Sequence, residues 1–486
     1  MNRDQLVERL KAIVGPGAVF SRPADLLVYE YDGSVDGAVE TAAPTAVVLP
    51  GNTAEVAEVV RLARAANLPV VARGAGTGLS GGAVPQNGGI IIALTRMNSV
   101  IEIDREDRTA LVEPGVINLE LSEQTLPLGY FFAPDPSSQR ACTIGGNVAE
   151  NSGGPHCLKY GVTSNHILGL EVVLPDGSIV WTGGRSPGTA GYDLTGAMVG
   201  SEGMLGIVTR ALVRLTPTPD VTLVLLAAFP DIETASQATS QIIAAGIVPA
   251  ALEMMDNLTI QAVEPAYHAG YPMDAGAVLL IEIDGIEDDV LSTGEEIAGI
   301  CHTAGATEVR SATEKDERDL LWKGRKMALA AMGRLSPNYY LHDTVVPRSK
   351  LPATLKRVEE ISQDFDLPIA NVFHAGDGNL HPLMLFDRRK PGDTERVLLA
   401  SKEIISYCVE VGGALSGEHG IGTEKRGYMT LVYTADDLAA MAGLKNSFDP
   451  SGLFNPEKVF PKGYMCGEVR ALRMQAMAQK HGIYAL

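Results

Sequence analysis

Hydrophobic and polar positions follow two textures along the chain. Between residues 43 and 217, compact apolar runs alternate with glycine-rich turns. These runs are Ala46 to Leu49, Val70 to Ala72, Ile90 to Leu94, Ala110 to Val112 and Leu170 to Leu174. Short β-branched runs bounded by glycine predict buried strands. Between the first two lies a helical period, in which Val56, Val59, Val60 and Ala63 form one stripe and Thr53 is placed to cap a helix running to Ala66. Pro217 and Pro219 mark a boundary. From about 220 to 410 the periods lengthen. Leu223 to Phe229 and Ala277 to Ile283 predict strands, while 232–245, 287–304, 314–332 and 350–364 predict helices, so this part reads as an α+β domain on an antiparallel sheet. After about 411 the glycines return, followed by a helix from Ala435 to Phe448 and a turn-laden stretch from Asp449 to Lys458.

Composition narrows the class. At 486 residues the chain exceeds one ordinary core, and 45% hydrophobic with 20% charged residues fits a globular protein. A formal charge of -20 argues against nucleic acid or an anionic lipid surface as a partner. An anionic substrate therefore has to be held by local positive charge. Five cysteines, Cys142, Cys157, Cys301, Cys408 and Cys466, form no CxxC pair and suit a reducing compartment. The start MNRDQLVERLKAIVG reads as an amphipathic helix, not a signal peptide, and no apolar run approaches the roughly 20 residues of a membrane span. The expectation is a cytoplasmic protein, attached to an inner membrane only through partners.

Val70 to Gly82 reads VVARGAGTGLSGG. A dinucleotide fingerprint of the Rossmann kind runs strand, glycine loop, helix. Here the glycines are followed by another strand, which excludes that fold. Successive unhindered N–H groups in such a loop still make a nest for a diphosphate, with Arg73 able to add a charge-assisted contact; a plain β-turn is the alternative. A second element, Pro134 to Gly154 (PDPSSQRACTIGGNVAENSGG), is too rich in small polar residues and glycine for an ordinary loop. A flat ligand against the backbone would need them, with Ser137, Ser138, Thr143 and Asn147 bonding its edge and Gly145 and Gly146 allowing approach.

These segments, with GSEGMLGIVT (Gly200 to Thr209) and FNPEK (Phe454 to Lys458), resemble the FAD-linked oxidases of the vanillyl-alcohol oxidase type over about residues 40 to 460. Within that family the likeness is to the glycolate oxidase flavin subunit, D-lactate dehydrogenase and D-2-hydroxyglutarate dehydrogenase. The resemblance implies an N-terminal helical segment (1–42), a two-subdomain FAD-binding domain (43–217), an α+β substrate-binding cap with an antiparallel sheet (218–410) and a C-terminal segment (411–486) completing the active site. It places the FAD pyrophosphate on Gly74, Ala75, Gly76, Thr77 and Gly78 beside Arg73. The rest of the flavin would meet Pro134, Asp135, Ser137, Ser138, Thr143, Gly145, Gly146, Asn147, Asn151, Gly153, Gly154, Gly161, Val162, Glu202, Ile207, Val208 and Asn455. Relatives that bind FAD covalently through the loop carry His there; Thr77 implies dissociable FAD.

Two further glycine-bracketed turns carry chemistry. NVFHAGDGNLHPL sets His374 and His381 seven apart across an Asp-Gly turn, and SGEHGIG holds Glu418 and His419. A hairpin at Gly376–Gly378 returns both histidines to one point, and Glu418 completes a His2Glu set with an open position, the pattern of catalytic divalent sites. Each histidine alone is more often structural. The family's HxGDGNLH and GEHG motifs match without a gap and imply zinc, manganese or iron on His374, His381 and Glu418. His419, facing away from Glu418 along an extended chain, is then the base for a 2-hydroxy acid.

LLWKGRK places Arg325 on a cap helix as a clamp for the substrate carboxylate, against a solvated helix face as the alternative. The stretch Pro337 to Arg348 offers Tyr340 or His342 to the pocket. Related 2-hydroxyglutarate enzymes carry Lys in this stretch, and none occurs between Asn338 and Val346, which favours glycolate or D-lactate over a dicarboxylate. Without a second dinucleotide fingerprint, electrons are expected to pass to a protein or quinone acceptor, as in complexes with a second flavin subunit and an iron–sulfur subunit. The competing readings are a flavin-binding scaffold or electron-transfer subunit and a lyase-type synthase.

Overall fold

In the computed structural model, residues 1–34, 42–186 and 191–462 are described. Cys466 and the end of the C-terminal segment lie outside them. Among the described residues, the first half holds two main sheets and a two-stranded ribbon that pairs Tyr130–Phe131 with Thr216–Pro217. One has the order Val19–Phe20, Ala46–Val48, Ile90–Ala93, Val70–Arg73. Its last three strands run parallel. Helix Thr53–Ala66 crosses between Ala46–Val48 and Val70–Arg73, with Val56, Val59, Val60 and Ala63 all fully buried against the sheet. Each such valine contributes about 1.5–3 kcal/mol. The capping residue is Asn52, whose side chain accepts from the Glu55 N–H at 3.0 Å. Thr53, expected to cap, instead donates its hydroxyl to Glu171 Oε1 at 2.6 Å.

Strands Val70–Arg73 and Ile90–Ala93 are adjacent and parallel. Parallel neighbours are usually joined by a helix. Here the glycine segment alone makes the return, which frees its backbone to line a cavity. The second sheet is antiparallel, in the order Val100–Asp104, Thr109–Val112, Ile207–Arg214, Ile167–Val173, Ile179–Gly183. Helix Ile144–Glu150 packs on it through Ile144 and Val148.

The second half is built on a nine-stranded antiparallel sheet whose centre is Val221–Phe229, Ala277–Gly285, Ala251–Asp256 and Ile369–His374. One face carries helices Ile232–Ala244, Glu287–Ala304, Leu351–Asp364 and Asp393–Glu410; the other carries Asn257–Tyr267, Lys315–Lys326 and Ala328–Ala331. The helix expected over 314–332 is thus broken at Met327. The chain then returns to the first half. Val70 N–H donates to Leu453 O at 2.8 Å, and Asn455 N–H to Val70 O at 2.7 Å. Among the described residues, no helix is long and apolar enough to cross a membrane.

A candidate active site between the flavin-side and cap-side walls

A cavity of about 480 Å³ lies between the two halves. Its first wall is the glycine loop, Gly74 to Gly78. Gly76 holds φ +73°, and a Cβ there would sit 2.1 Å from the Arg73 guanidinium, so the loop can close over that side chain only with glycine. Arg73 itself is buried and stacks on the Tyr29 ring at 5.6 Å.

Ser137, Ser138, Thr143, Gly146, Asn147 and Glu150 continue the wall. Thr143 caps helix Ile144–Glu150, accepting from Gly146 N–H at 3.2 Å. Asn147 is fixed from behind by Asn118, whose Nδ2 donates to its Oδ1 at 3.0 Å. Small residues and a helix start thus present N–H groups and hydroxyls to the cavity, the surface a diphosphate or a flat heterocycle requires.

The opposite wall comes from the cap and the 418–419 turn. Glu253 and His374 are paired directly across neighbouring antiparallel strands, so their side chains share one face. His374 Nδ1 lies 2.7 Å from Glu253 Oε1, and His374 Nε2 lies 3.1 Å from Glu418 Oε1. The turn after His374 pairs it with Asn379 and brings His381 back, its Nε2 also 3.1 Å from Glu418 Oε1. His381 Nδ1 is 3.3 Å from the His342 carbonyl.

Each imidazole therefore has Nδ1 against an oxygen and turns Nε2 toward one carboxylate, the orientation a divalent cation needs. The donor set fits such an ion. Burial alone would raise the Glu418 carboxyl, but His374 and His381 hold it well below its usual range. Burial works against a charged His374, yet Glu253 and Glu418 raise it to about 10, so a proton and a metal are alternative occupants of the same spot.

His419 stacks on His381 with centroids 5.0 Å apart. Burial depresses it to about 4, which keeps the ring unprotonated at neutral pH. Asp343 sets the turn, accepting from Ser416 Oγ, from the Gly417 and His419 N–H groups and from Lys425 Nζ at 2.9 Å.

The FAD binding domain family matches residues 44–183, and the family described as FAD linked oxidases, C-terminal domain, matches 218–459. The chain is 45% identical over 474 residues to the glycolate oxidase subunit GlcD of Escherichia coli (strain K12), covering 98% of this chain and 94% of that protein. This chain belongs to the FAD-linked oxidases.

The oxidase is also 42% identical to the glycolate oxidase subunit GlcD of Bacillus subtilis (strain 168), over 94% of this chain and 96% of that one. It is 34% identical to a D-lactate dehydrogenase of Archaeoglobus fulgidus, over 86% and 91% of the two chains. Its fold matches p-cresol methylhydroxylase (TM-score 0.80, 18% identity, 94% and 96% covered). It also matches 4-ethylphenol oxidase from Gulosibacter chungangensis (TM-score 0.77, 21% identity, 94% and 97% covered). The vanillyl-alcohol oxidase type resemblance and the two-domain α+β fold stand, and the oxidase is an FAD-binding oxidoreductase.

The cavity of the oxidase brings together Gly74, Ala75, Gly76, Thr77, Gly78, Ser137, Ser138, Thr143, Gly146, Asn147, Glu202, Arg325, His374, His381, Glu418 and His419. A smaller adjoining cleft takes Arg73, Gly145 and Val208. Gly145 serves packing, since a Cβ would lie 2.6 Å from Pro114. Other expected contacts lie behind the wall. Pro134 O accepts from Asn118, Asp135 pairs with His156, and Asn151 ends the 144–150 helix. Gly153 backs Glu418, and Gly154 backs Asp135. Gly161 and Val162 form a turn with Asn165, and Ile207 is core. Asn455 supports the loop through Gly82 O (2.9 Å) and Glu202 O (2.6 Å).

Tyr340 is a correction. Strand Asn338–Leu341 alternates, and Tyr339 and Leu341 face the cavity. Tyr340 points the other way, buried, with its hydroxyl donating to Glu424 Oε1 at 2.5 Å, so it cannot reach a substrate. His342 is likewise buried, and burial drives it down to about 3; its contribution is the carbonyl that holds His381. Arg325 reaches the cavity, but its Nε and Nη2 lie 2.8 and 2.6 Å from Glu253 Oε2. A bidentate contact is narrowed to its Nη1/Nη2 edge. The sequence reading missed Glu253, Asp343, Lys425 and Glu150. For Glu253 a signal existed, a single carboxylate inside the apolar run Ala251 to Met255.

Proposed function

We propose that this oxidase oxidises a short 2-hydroxy acid, glycolate or D-lactate, with His374, His381 and Glu418 holding a divalent metal and His419 taking the hydroxyl proton. The observation that carries the reading is the meeting of His374 Nε2 and His381 Nε2 on one oxygen of Glu418, within the cavity walled by the glycine loop. The relatives named as glycolate oxidase subunits and D-lactate dehydrogenase support the substrate class. FAD bound along that loop supplies a two-electron hydride acceptor. A cation of zinc, manganese or iron type lowers the pKa of a ligated hydroxyl.

The chain's own residues do the rest. Arg325, braced by Glu253, binds the substrate carboxylate. His419, unprotonated and anchored through its backbone to Asp343, accepts the proton. Tyr339, Leu341 and Val372 wall the cavity with apolar surface and limit water. With Thr77 in the loop, FAD is held without a covalent bond. Electrons leave to a non-nicotinamide acceptor, a protein or quinone, within an assembly of the kind that the word subunit in the relatives' names describes.

The test is anaerobic flavin bleaching against glycolate, both lactate enantiomers and D-2-hydroxyglutarate, before and after chelation. The dicarboxylate is included because Lys326 also lines the cavity. Bleaching by glycolate or D-lactate that chelation abolishes and metal restores is expected. Bleaching that ignores chelation overturns the metal role, and bleaching by none of the four overturns the substrate class.

A further inference from the structure

Glu150 ends helix Ile144–Glu150, faces the cavity, and has no part in the mechanism above. Its carboxyl is wedged between two backbone turns. A Cβ on Gly82 would lie 2.6 Å from Oε1, and one on Gly420 would lie 2.2 Å from Oε2. Oε2 is buried with no hydrogen-bond partner. The nearby ammonium groups are engaged elsewhere: Lys458 Nζ donates to Gly81 O (2.6 Å) and Val84 O (2.5 Å), and Lys425 Nζ to Asp343.

A second carboxyl, Glu202, stands beside it. Glu202 receives the N–H groups of Ile421 and Gly422, each at 2.8 Å, one on each oxygen. Two close buried carboxyls do not both ionise readily. The charge belongs on Glu202, which has two donors, and the proton on Glu150. Burial first, then Glu202 and Asp32, push Glu150 well above the usual carboxyl range against the pull of Lys458 and Lys425. A buried acid in this state needs an acceptor; Oε2 is closed off, so the oxygen that opens to the cavity is Oε1. Gly420 follows His419, so the carboxyl lies at the end where hydride transfer brings ring and substrate together.

We propose that Glu150 is a neutral carboxylic acid that hydrogen-bonds the polar edge of the isoalloxazine ring and thereby sets the reduction potential of the bound flavin. The proposal rests on FAD lying in this cavity. A donor at that edge stabilises the reduced, electron-rich ring more than the oxidised one. It tunes the flavin without touching metal or substrate.

The experiment is an equilibrium redox titration of the purified flavoprotein against reference dyes, for wild type, Glu150→Gln and Glu150→Leu. The Gln variant keeps a neutral donor and should leave the equilibrium constant for flavin reduction within about threefold. The Leu variant should lower it roughly tenfold, which is about 30 mV for a two-electron couple. A tenfold easier reduction in the Gln variant would show a carboxylate charge and overturn the proposal, as would an unchanged potential in the Leu variant. If the Leu variant does not fold, infrared difference spectra of flavin reduction decide. A protonated-carboxyl band that shifts in wild type and vanishes in Glu150→Gln supports the assignment, and its absence from wild type sinks it. Wild-type protein without flavin would instead remove the flavin reading itself.

Discussion

The two walls of the cavity are made in different ways. The flavin-side wall is mostly backbone and small side chains from two stretches, 72–83 and 136–152, with Glu202 and Gly203 beside them. The cap-side wall depends on polar groups from five separated places: Arg325, the His374/His381 hairpin and the 418–419 turn on its surface, beside the apolar Tyr339, Leu341 and Val372, with buried Glu253 and Asp343 behind it. On the first, a residue's role follows from its neighbours in sequence. On the second, each charged group is tolerable only because a distant one meets it, as Glu253 meets both His374 and Arg325. The difference predicts that lesions on the cap side are severe and shared between functions, and that lesions on the flavin side are graded and local.

The largest effect should come from Glu418→Gln. It removes the anionic ligand on which both imidazoles meet, and turnover should fall about a thousandfold, the several kcal/mol a Lewis acid supplies. Metal analysis should find the ion gone and absorbance should find the flavin retained. Turnover and metal both intact would leave the cap wall with no metal chemistry.

Next is Glu253→Gln, which touches neither metal nor substrate. Metal affinity should drop about 10–100-fold, as when a carboxylate behind a ligating histidine is lost. KM should rise together with it, because the same carboxylate braces Arg325. A metal defect without a KM defect would separate the two functions that the structure joins in one residue.

The same contrast explains what could be read before the structure. The glycine loop, the 134–154 segment and the HxGDGNLH and GEHG motifs were legible because their parts are adjacent in the chain. So was the passage from the glycine loop into the next strand without a helix, since Gly81 to Gly89 runs straight into Ile90; the parallel pairing of the two strands was not. Tyr340 was misplaced because strand alternation is set by the pairing of Asn338–Leu341 with Pro382–Phe386, a contact across some 45 residues. Glu253 and Glu150 were overlooked for the same kind of reason. Their partners, or for Glu150 the lack of one, exist only once the sheets are assembled.

On the flavin side, Thr143→Ala removes the cap of helix Ile144–Glu150. About 1 kcal/mol is at stake, so FAD affinity should weaken roughly fivefold with metal content unchanged. Isothermal titration of the apoprotein with FAD reads this directly. A fall in metal content would mean that the walls are not independent.

The smallest effect should fall on the seam between the walls. His156 lies between Asp135 of the flavin half, with Nδ1 2.8 Å from Oδ2, and Glu282 of the cap sheet, with Nε2 3.0 Å from Oε1. Trp322 Nε1 donates to the other oxygen of Glu282 at 2.5 Å, on the helix that carries Arg325. Burial opposes a charged His156, but the two carboxylates raise its pKa well above the ordinary value. Its folded-state pKa is therefore higher than the roughly 6.5 of the unfolded chain. The stabilisation is full below about pH 6.5 and is lost as pH climbs through the raised folded value. His156→Gln keeps a donor but not the charge, so it should melt about 2–4 °C below wild type near pH 6, with the gap closing in alkaline buffer. A gap that stays constant from acid to alkali would show that His156 joins the walls by shape and neutral hydrogen bonding, with no contribution from its charge.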